Sequence, residues 1–454
     1  MFILVKNNII GFFRKTIVPF VLLCLFFCFL MYPFMAGLSK HLIHVDEGAW
    51  IATSLYKCKI LFMDRNFNSS LWEDSYFHNL PPIATYIIGF TGWQAGFMDD
   101  MIRNKPPIIN HGECMLMLPI SRVPMAIMGG VSAILFFWIL LRQKDLFAGI
   151  ICSSLLAFNP LIIRTCKRTM SESPLVFFMV LSIFFAVIWI QKLNQSRKLQ
   201  SFIFSGLTGV SIALSTGSKL LGGLVLPGIL SANLINTFAL FIAHNDRLSR
   251  TIIWKRIYMI WETTACCCVL CFLIFYISYP TFYRHPLKNM YAMVKFRQDL
   301  IREQWNTAPQ ESLHILKPNT GNSNLFFAQK DSPANYSPPI RSVQDRIHYV
   351  FFRALLYYGS FRNVTGALLD LLLLVAGIIV LLKKTLLDWK NVQISSNILF
   401  ITWFMVIYII LSLMLPHDWD RYYIVVIPSA TFLSGLGFAY LIKITWFQFS
   451  RIIN

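Results

Sequence analysis

The sequence predicts an all-α polytopic membrane protein with about ten transmembrane helices, and three observations carry that prediction. Of its 454 residues, 56% are hydrophobic and 13% charged, against about 45–50% and about 25% in a soluble domain. Apolar runs of roughly 20 residues, long enough to span a bilayer, recur along the chain. Lys and Arg gather in short bridges between those runs, at Arg142-Gln143-Lys144, Lys192 to Lys198, Arg247 to Arg256 and Lys383-Lys384. Cytoplasmic loops are enriched in such residues. The net charge of +19, from 40 basic and 21 acidic residues, therefore reports topology, and no nucleic-acid partner is expected. The bilayer itself is the expected partner of the apolar surface.

The elements follow in order. Residues 17–37, after Lys6, Arg14 and Lys15, lack a small-residue cleavage site and read as an uncleaved first helix with a cytoplasmic N-terminus. A long polar-aromatic loop covers 38–118, and within it the apolar stretch Leu80 to Phe97, opened by Pro81-Pro82, suits an interfacial helix. Further spans are predicted near 119–141, 146–163, 174–191, 202–217, 219–243 and 257–279. A second long loop follows over 280–346, then an amphipathic interfacial helix over 347–361. The last spans are predicted near 364–382, 397–415 and 422–444. With basic bridges inside, both long loops are extracytoplasmic and both termini cytoplasmic. The chain divides into an N-terminal transmembrane module (1–279), a loop with its interfacial helix (280–361) and C-terminal helices (362–454).

Cys24, Cys28, Cys152, Cys266, Cys267, Cys268 and Cys271 fall in apolar runs and read as small core hydrophobes. Cys58 and Cys114 share the first long loop, which leaves a disulfide there open.

Chemistry concentrates on the extracytoplasmic side. His44-Val45-Asp46-Glu47 places adjacent carboxylates just beyond the first helix. Either they favour a helix N-terminus by its dipole, or one serves as a base or meets a cation. Phe77-His78-Asn79-Leu80-Pro81-Pro82 presents His78 and Asn79 at the start of the interfacial segment, or is simply a turn with aromatic anchors. A ring of cations lies at the same level: Arg122, Arg164, Lys167, Arg168, Lys219 and Arg421, with Glu172 opening a span and Tyr422 following Arg421. Bases opposite the cytoplasm depart from the usual bias. They suit a lipid phosphate, which Arg meets bidentately, though any single one is equally a snorkelling side chain. Asp418-Trp419-Asp420 has a metal-binding form without further ligands nearby, so no metal or other cofactor is expected.

These blocks resemble the GT-C membrane glycosyltransferases, specifically the protein O-mannosyltransferase and lipid A aminoarabinose transferase group. Asp46-Glu47 is similar to that group's first-loop acidic motif, and His78 through Tyr86 to its His/Pro-Pro motif. Ser121-Arg122-Val123-Pro124 is similar to the opening of its second span. Asn159-Pro160 through Arg168 to Ser171-Glu172-Ser173-Pro174, Gly206-Leu207-Thr208-Gly209 through Ser218-Lys219, and Arg421-Tyr422-Tyr423 before Pro428 resemble later blocks. Phe77 stands where the group has an Asp. The resemblance implies a GT-C fold and a polyprenyl-monophosphate sugar as donor, mannosyl-like or pentosyl. It implies inverting transfer to a hydroxyl of a protein, lipid or glycan. Without eukaryotic retention signals or appended domains, a bacterial inner membrane with a periplasmic site is expected, and an endoplasmic reticulum membrane is the alternative. The resemblance assigns Asp46 and Glu47 as catalytic. His78, Asn79, Arg122, Arg164, Arg168, Glu172, Lys219, Arg421 and Tyr422 would bind substrate. The competing expectations are a polyprenyl-linked glycan ligase or polymerase and a secondary transporter. Charges at one surface, rather than at mid-bilayer, disfavour transport.

Overall fold

The computed structural model describes residues 18–41, 46–67, 80–97, 111–242, 250–296, 367–414 and 420–453, with isolated positions between them such as His44 and Trp72. Among the described residues the regular structure is helical: α1 (Val18–Met35), α2 (Glu47–Cys58), α3 (Pro82–Gln94), α4 (His111–Arg142), α5 (Leu146–Ala157), α6 (Pro160–Cys166), α7 (Glu172–Asn194), α8 (Lys198–Ser218), α9 (Val225–Ile242), α10 (Arg250–Ser278), α11 (Thr281–Arg284), α12 (Ala367–Lys390), α13 (Asn397–Met414), α14 (Asp420–Tyr423) and α15 (Ile427–Ile453). Among the described residues eight helices are long and apolar enough to cross a membrane, or nine where the bent pair α5–α6 is counted as one span. The expected tenth span, near 364–382, is α12. It is 24 residues long but carries Asp370 near one end and Lys383, Lys384, Asp388 and Lys390 toward the other.

Local chemistry sets the boundaries. Asp145 caps α5 by accepting from the Ala148 N–H at 3.1 Å, an acid at a helix start. Asn159 accepts from the N–H groups of Leu161 and Ile162 at 3.0 and 3.2 Å, and Pro160 fills the first position of α6, where a missing N–H costs nothing. The chain turns by 59° there. Lys219, extended at φ −161° and ψ 133°, stops α8.

The first loop is more ordered than expected. It opens on α2, whose start at Asp46-Glu47 is the helix N-terminus offered as one reading of that pair, and α4 begins at His111 rather than near 119. The expected interfacial helix is α3, packed against α2 and α4. Gly89 and Gly92 let it approach closely: a Cβ on Gly89 would meet the Ser54 carbonyl and Cys58, and one on Gly92 would meet Leu55 and Met117. Phe90 and Trp93 stay exposed on its other side. The helix expected over 347–361 lies outside the described residues, as does most of 280–346 beyond residue 296.

The core runs along α7, which packs on α4 and α8 and is flanked further by α10 and α9. Trp189, Phe136, Phe400, Phe432 and Trp403 are wholly or almost wholly buried. The C-terminal helices join the same bundle, α13 against α9 and α15 against both α12 and α5. The α12–α15 contact is backbone on backbone. A Cβ on Gly377 would meet the Leu433 carbonyl, and one on Gly437 the Leu373 carbonyl and the Gly377 nitrogen, at 2.9 Å. Small residues permit such approach where lipid supplies no driving force for association. Gly377→Ala is expected to lower thermal stability in detergent by about 1–3 kcal/mol through forced separation; an unchanged melting temperature would contradict the contact.

Connectivity puts two groups of paired charges at opposite ends of the bundle. The end of α1, the start of α7, the end of α8 and the start of α15 share one end. The other end holds Asp145 between Lys443 (2.7 Å) and Lys384 (3.8 Å) and the 391–396 connection, clamped by Asn194, Asn236 and Arg256.

Candidate active site

The first end gathers residues from five separate stretches of sequence. Asp46 is the N-cap residue of α2, yet its side chain caps nothing. Its Oδ2 instead accepts from Arg421 Nη1 at 3.0 Å. The pair is part-exposed, 39% on Asp46 and 29% on Arg421. His44 Nδ1 accepts from the Asp46 N–H at 3.2 Å and lies 3.7 Å from Oδ2. An accepting Nδ1 places the ring hydrogen on Nε2. Burial, then Arg168, hold His44 below the usual histidine range, against the pull of Asp46. The neutral ring is thus favoured beside the carboxylate.

Glu47 faces the other way. A helix turns about 100° per residue, so its neighbour's side chain points into the core, where it is fully buried. Oε1 accepts from Arg122 Nε at 3.0 Å and from the Thr169 N–H at 2.8 Å. Oε2 accepts from Arg122 Nη2 at 2.8 Å and from the His44 N–H at 2.8 Å. Arg122, itself 1% exposed, also donates from Nη1 to the carbonyls of His41 (2.8 Å) and Leu38 (3.3 Å). One bidentate pair therefore ties together the end of α1, α2, α4 and the turn before α7. Both groups are buried and engaged inside the protein.

Lys219 donates to Glu172 Oε1 at 3.0 Å and to the Arg421 carbonyl at 3.3 Å, with its ammonium 5.8 Å from the centre of the Tyr422 ring. Glu172 is buried and Lys219 18% exposed. Lys167 donates to the Ala36 carbonyl at 2.6 Å, meeting the C-terminal end of α1 as cations do. Arg164 and Arg168 are half-buried at the end of α6, and the Arg164 carbonyl contacts His41 Nε2 at 3.2 Å. Burial, then Arg122 and Arg168, push His41 down to about 4.

Of the residues expected here, the structure brings Asp46, Glu47, Arg122, Arg168, Glu172, Lys219, Arg421 and Tyr422 into one connected cluster, with Arg164 at its edge. His78, Asn79 and Asp418 lie outside the described residues. Among the described residues no three His, Cys, Asp or Glu side chains converge as a metal ion would require. Cys58 is a free thiol, 3.7 Å from the Tyr86 carbonyl, which burial pushes up to about 12.

Lys57 was missed. Seven residues after Trp50, it lies on the buried face of α2, a spacing that was readable in the sequence. Its ammonium donates to the Leu80 carbonyl at 2.6 Å, just before Pro81-Pro82, and burial lowers it from 10.5 to about 7. For a base with a depressed folded-state pKa, the unfolded chain binds more protons between about 7 and 10.5. Its contribution to stability therefore rises with pH across that window and is flat below it. Lys57→Met is expected to raise the melting temperature at pH 7 and flatten its rise toward pH 10. A steeper rise in the variant would reverse the assignment.

Comparison with known proteins finds one family model and several similar folds. The family model for dolichyl-phosphate-mannose-protein mannosyltransferase matches residues 62–285, just under half of the chain. The matched span includes Arg122, Arg164, Arg168, Glu172 and Lys219, and leaves Asp46, Glu47 and Arg421 outside. A comparison with curated proteins finds no match. Among solved structures the chain is similar to the oligosaccharyltransferase of Archaeoglobus fulgidus in its apo form, with TM-score 0.58 and 14% identity, covering 98% of this chain and 53% of that one. It is also similar to the same organism's oligosaccharyltransferase in complex with an inhibitory peptide and a dolichol-phosphate, with TM-score 0.54 and 13% identity, covering 97% and 52%. The chain thus spans about half the length of these archaeal proteins, and at such identity the likeness is one of fold. The chain, with its apolar helices long enough to cross a membrane, thus resembles the dolichyl-phosphate-mannose-protein mannosyltransferase family over residues 62–285 and shares its fold with the archaeal oligosaccharyltransferase.

Proposed function

We propose that the protein transfers a sugar from a polyprenyl-monophosphate carrier to a hydroxyl acceptor, at the cluster around Asp46 and on the extracytoplasmic face. One observation carries this reading. Asp46 sits at a helix N-terminus without capping it, half-exposed and beside a cation, while its neighbour Glu47 is consumed by packing. Asp46 is therefore the carboxylate in the pair that can reach a substrate. The acceptor O–H would give its proton to Asp46 while its oxygen bonds to the anomeric carbon, and the carbon–oxygen bond to phosphate breaks with its electron pair leaving on the phosphate. A single displacement of this kind inverts the anomeric centre. Charge grows on the leaving phosphate, so nearby guanidinium groups stabilise the transition state more than the ground state. Arg421, Arg168 and Arg164 have the exposure for that role; Arg122 and Lys219 serve better as the frame.

The family match to a dolichyl-phosphate-mannose enzyme supports a lipid-linked mannose or similar sugar, and the archaeal complex with a dolichol-phosphate and a peptide supports a lipid phosphate and a protein acceptor. The basic residues at the opposite end of the bundle support an extracytoplasmic site. No metal is assigned a step.

The test is transfer by the purified full chain in lipid nanodiscs. Polyprenyl-phosphate mannose, glucose and aminoarabinose are each offered with a Ser/Thr-rich peptide or a lipid A acceptor, and products are read by mass spectrometry. Appearance of a product with inverted anomeric configuration is expected with one donor. Failure with every donor, alongside uptake of a solute into proteoliposomes, would instead support a transporter.

A further inference from the structure

A second charged site lies at the end of the bundle away from Asp46, and it stands independently of the transferase reading. We propose that the turn between α4 and α5, together with Lys384 of α12 and Lys443 of α15, binds the phosphate headgroup of an anionic phospholipid.

Two lysines far apart in sequence are brought to one carboxylate there. Lys443 donates to Asp145 Oδ1 at 2.7 Å, and Lys384 lies 3.8 Å from Oδ2. Asp145 also caps α5 through the Ala148 N–H. Arg142 and Lys144 stand in the same turn and are exposed. The turn and the two lysines that reach it thus carry four cations and one carboxylate. Charge alone would be the ordinary bias of one side of a membrane protein; the backbone of the turn sets it apart. Lys144 has φ at 61°, a left-handed conformation in which a Cβ crowds the following carbonyl and which Gly adopts without that cost. The side-chain amide of Gln143 is buried with neither its nitrogen nor its oxygen hydrogen-bonded, a second cost. A lysine thus stands where folding favours glycine, in a turn that is strained on its own account, and such strain gathers at sites that bind.

A phosphate carrying acyl chains fits what surrounds these charges. Four cations around one carboxylate leave a surplus, and ammonium and guanidinium groups both offer several donors to phosphate oxygens. Further along the helices from the turn, Leu146, Phe147 and Ile150 on α5 and Leu441 on α15 are exposed. The Lys443 ammonium lies 5.8 Å from the centre of the Phe147 ring, so charge and apolar surface adjoin. A headgroup held at the turn therefore has a place for its chains directly alongside. Free phosphate would meet the same cations and gain nothing from these side chains, which favours the lipid. The headgroup of phosphatidylcholine brings a cation of its own to a site already rich in them and is disfavoured.

Thermal unfolding of the full chain in detergent tests this, since a ligand of the native state raises the melting temperature by mass action. Dioleoyl phosphatidylglycerol, dioleoyl phosphatidylcholine and inorganic phosphate are titrated separately. Phosphatidylglycerol should raise the melting temperature saturably, at concentrations where the other two do not. An equal rise with phosphatidylcholine would mean apolar solvation alone, and an equal rise with inorganic phosphate a site for soluble anions; either overturns the proposal. Arg142→Gln and Lys144→Gln should each weaken the apparent affinity for phosphatidylglycerol by about fivefold. Lys384 and Lys443 are left in place, because Asp145 is paired with them. Arg197→Gln and Lys390→Gln remove exposed cations from other helix ends and should change the affinity little. Equal losses at all four positions would reduce the effect to diffuse charge and overturn the site. Lys144→Gly separates binding from folding, because it removes the cation while relieving the backbone. Without lipid its melting temperature should equal or exceed that of wild type, while its response to phosphatidylglycerol falls as in Lys144→Gln. A lower melting temperature would make Lys144 part of the fold and overturn the assignment of the turn.

Discussion

Asp46→Asn is expected to reduce transfer by about 10²- to 10⁴-fold in kcat, the usual contribution of a positioned general base, or about 3–5 kcal/mol of transition-state stabilisation. The reason lies in the helix start. Asn keeps the shape of the side chain and can still accept a hydrogen bond from Arg421, so the local fold and donor binding should survive. What is lost is the ability to take a proton from a hydroxyl whose own acidity is negligible at neutral pH. The expected kinetic signature is therefore a fall in kcat without a rise in KM for the lipid-linked donor. Such a split separates a catalytic carboxylate from one that merely braces the loop, since loosening the loop would raise KM and lower stability together. Glu47→Gln should show the second pattern. Transfer by Asp46→Asn within about threefold of wild type would remove Asp46 as the base.

How these two neighbours came to differ marks the limit of what the sequence discloses. The membrane class, the order of the spans and the gathering of motifs at one end were legible, because bilayer thickness and charge bias constrain apolar runs and bridges strongly. The α5–α6 break was missed, since 146–163 was read as one span, although the capping chemistry of Asn159-Pro160 that makes it is local. Partner choice was not legible. Asp46 and Glu47 read as one acidic motif, yet a single step along α2 sends one to Arg421, 375 residues away, and the other to Arg122, 75 residues away. The cations read as a single ring facing phosphate. Instead Arg122, Lys167 and Lys219 hold partners within the protein, because the partner of each was decided by long-range packing that no local pattern records. The same holds for α2 itself, whose burial against α3 and α4 turns what read as a polar loop into a packed layer.

The largest effect on stability is expected at Glu47 and Arg122. Glu47→Leu leaves a guanidinium that is 1% exposed without its carboxylate and strips the Thr169 and His44 N–H groups of their acceptor. Arg122→Met leaves the carboxylate buried and takes the donor from the Leu38 and His41 carbonyls. Breaking one side of such a pair costs about 3–5 kcal/mol, a large part of the stability of an ordinary domain. Each single variant should therefore show a sharply lowered melting temperature in detergent. The double variant Glu47→Leu with Arg122→Met should be less destabilised than the sum of the two, because neither charge is then stranded, and apolar groups of similar volume often replace a buried pair at little cost. Four backbone groups would still lack partners, so recovery should be partial. Additive losses would mean that the two residues act independently, and that the turn before α7 is held by something other than this pair. Activity supplies a second readout. The double variant, even where folded, should transfer slowly, because the start of α2 that aims Asp46 at Arg421 is anchored through Glu47.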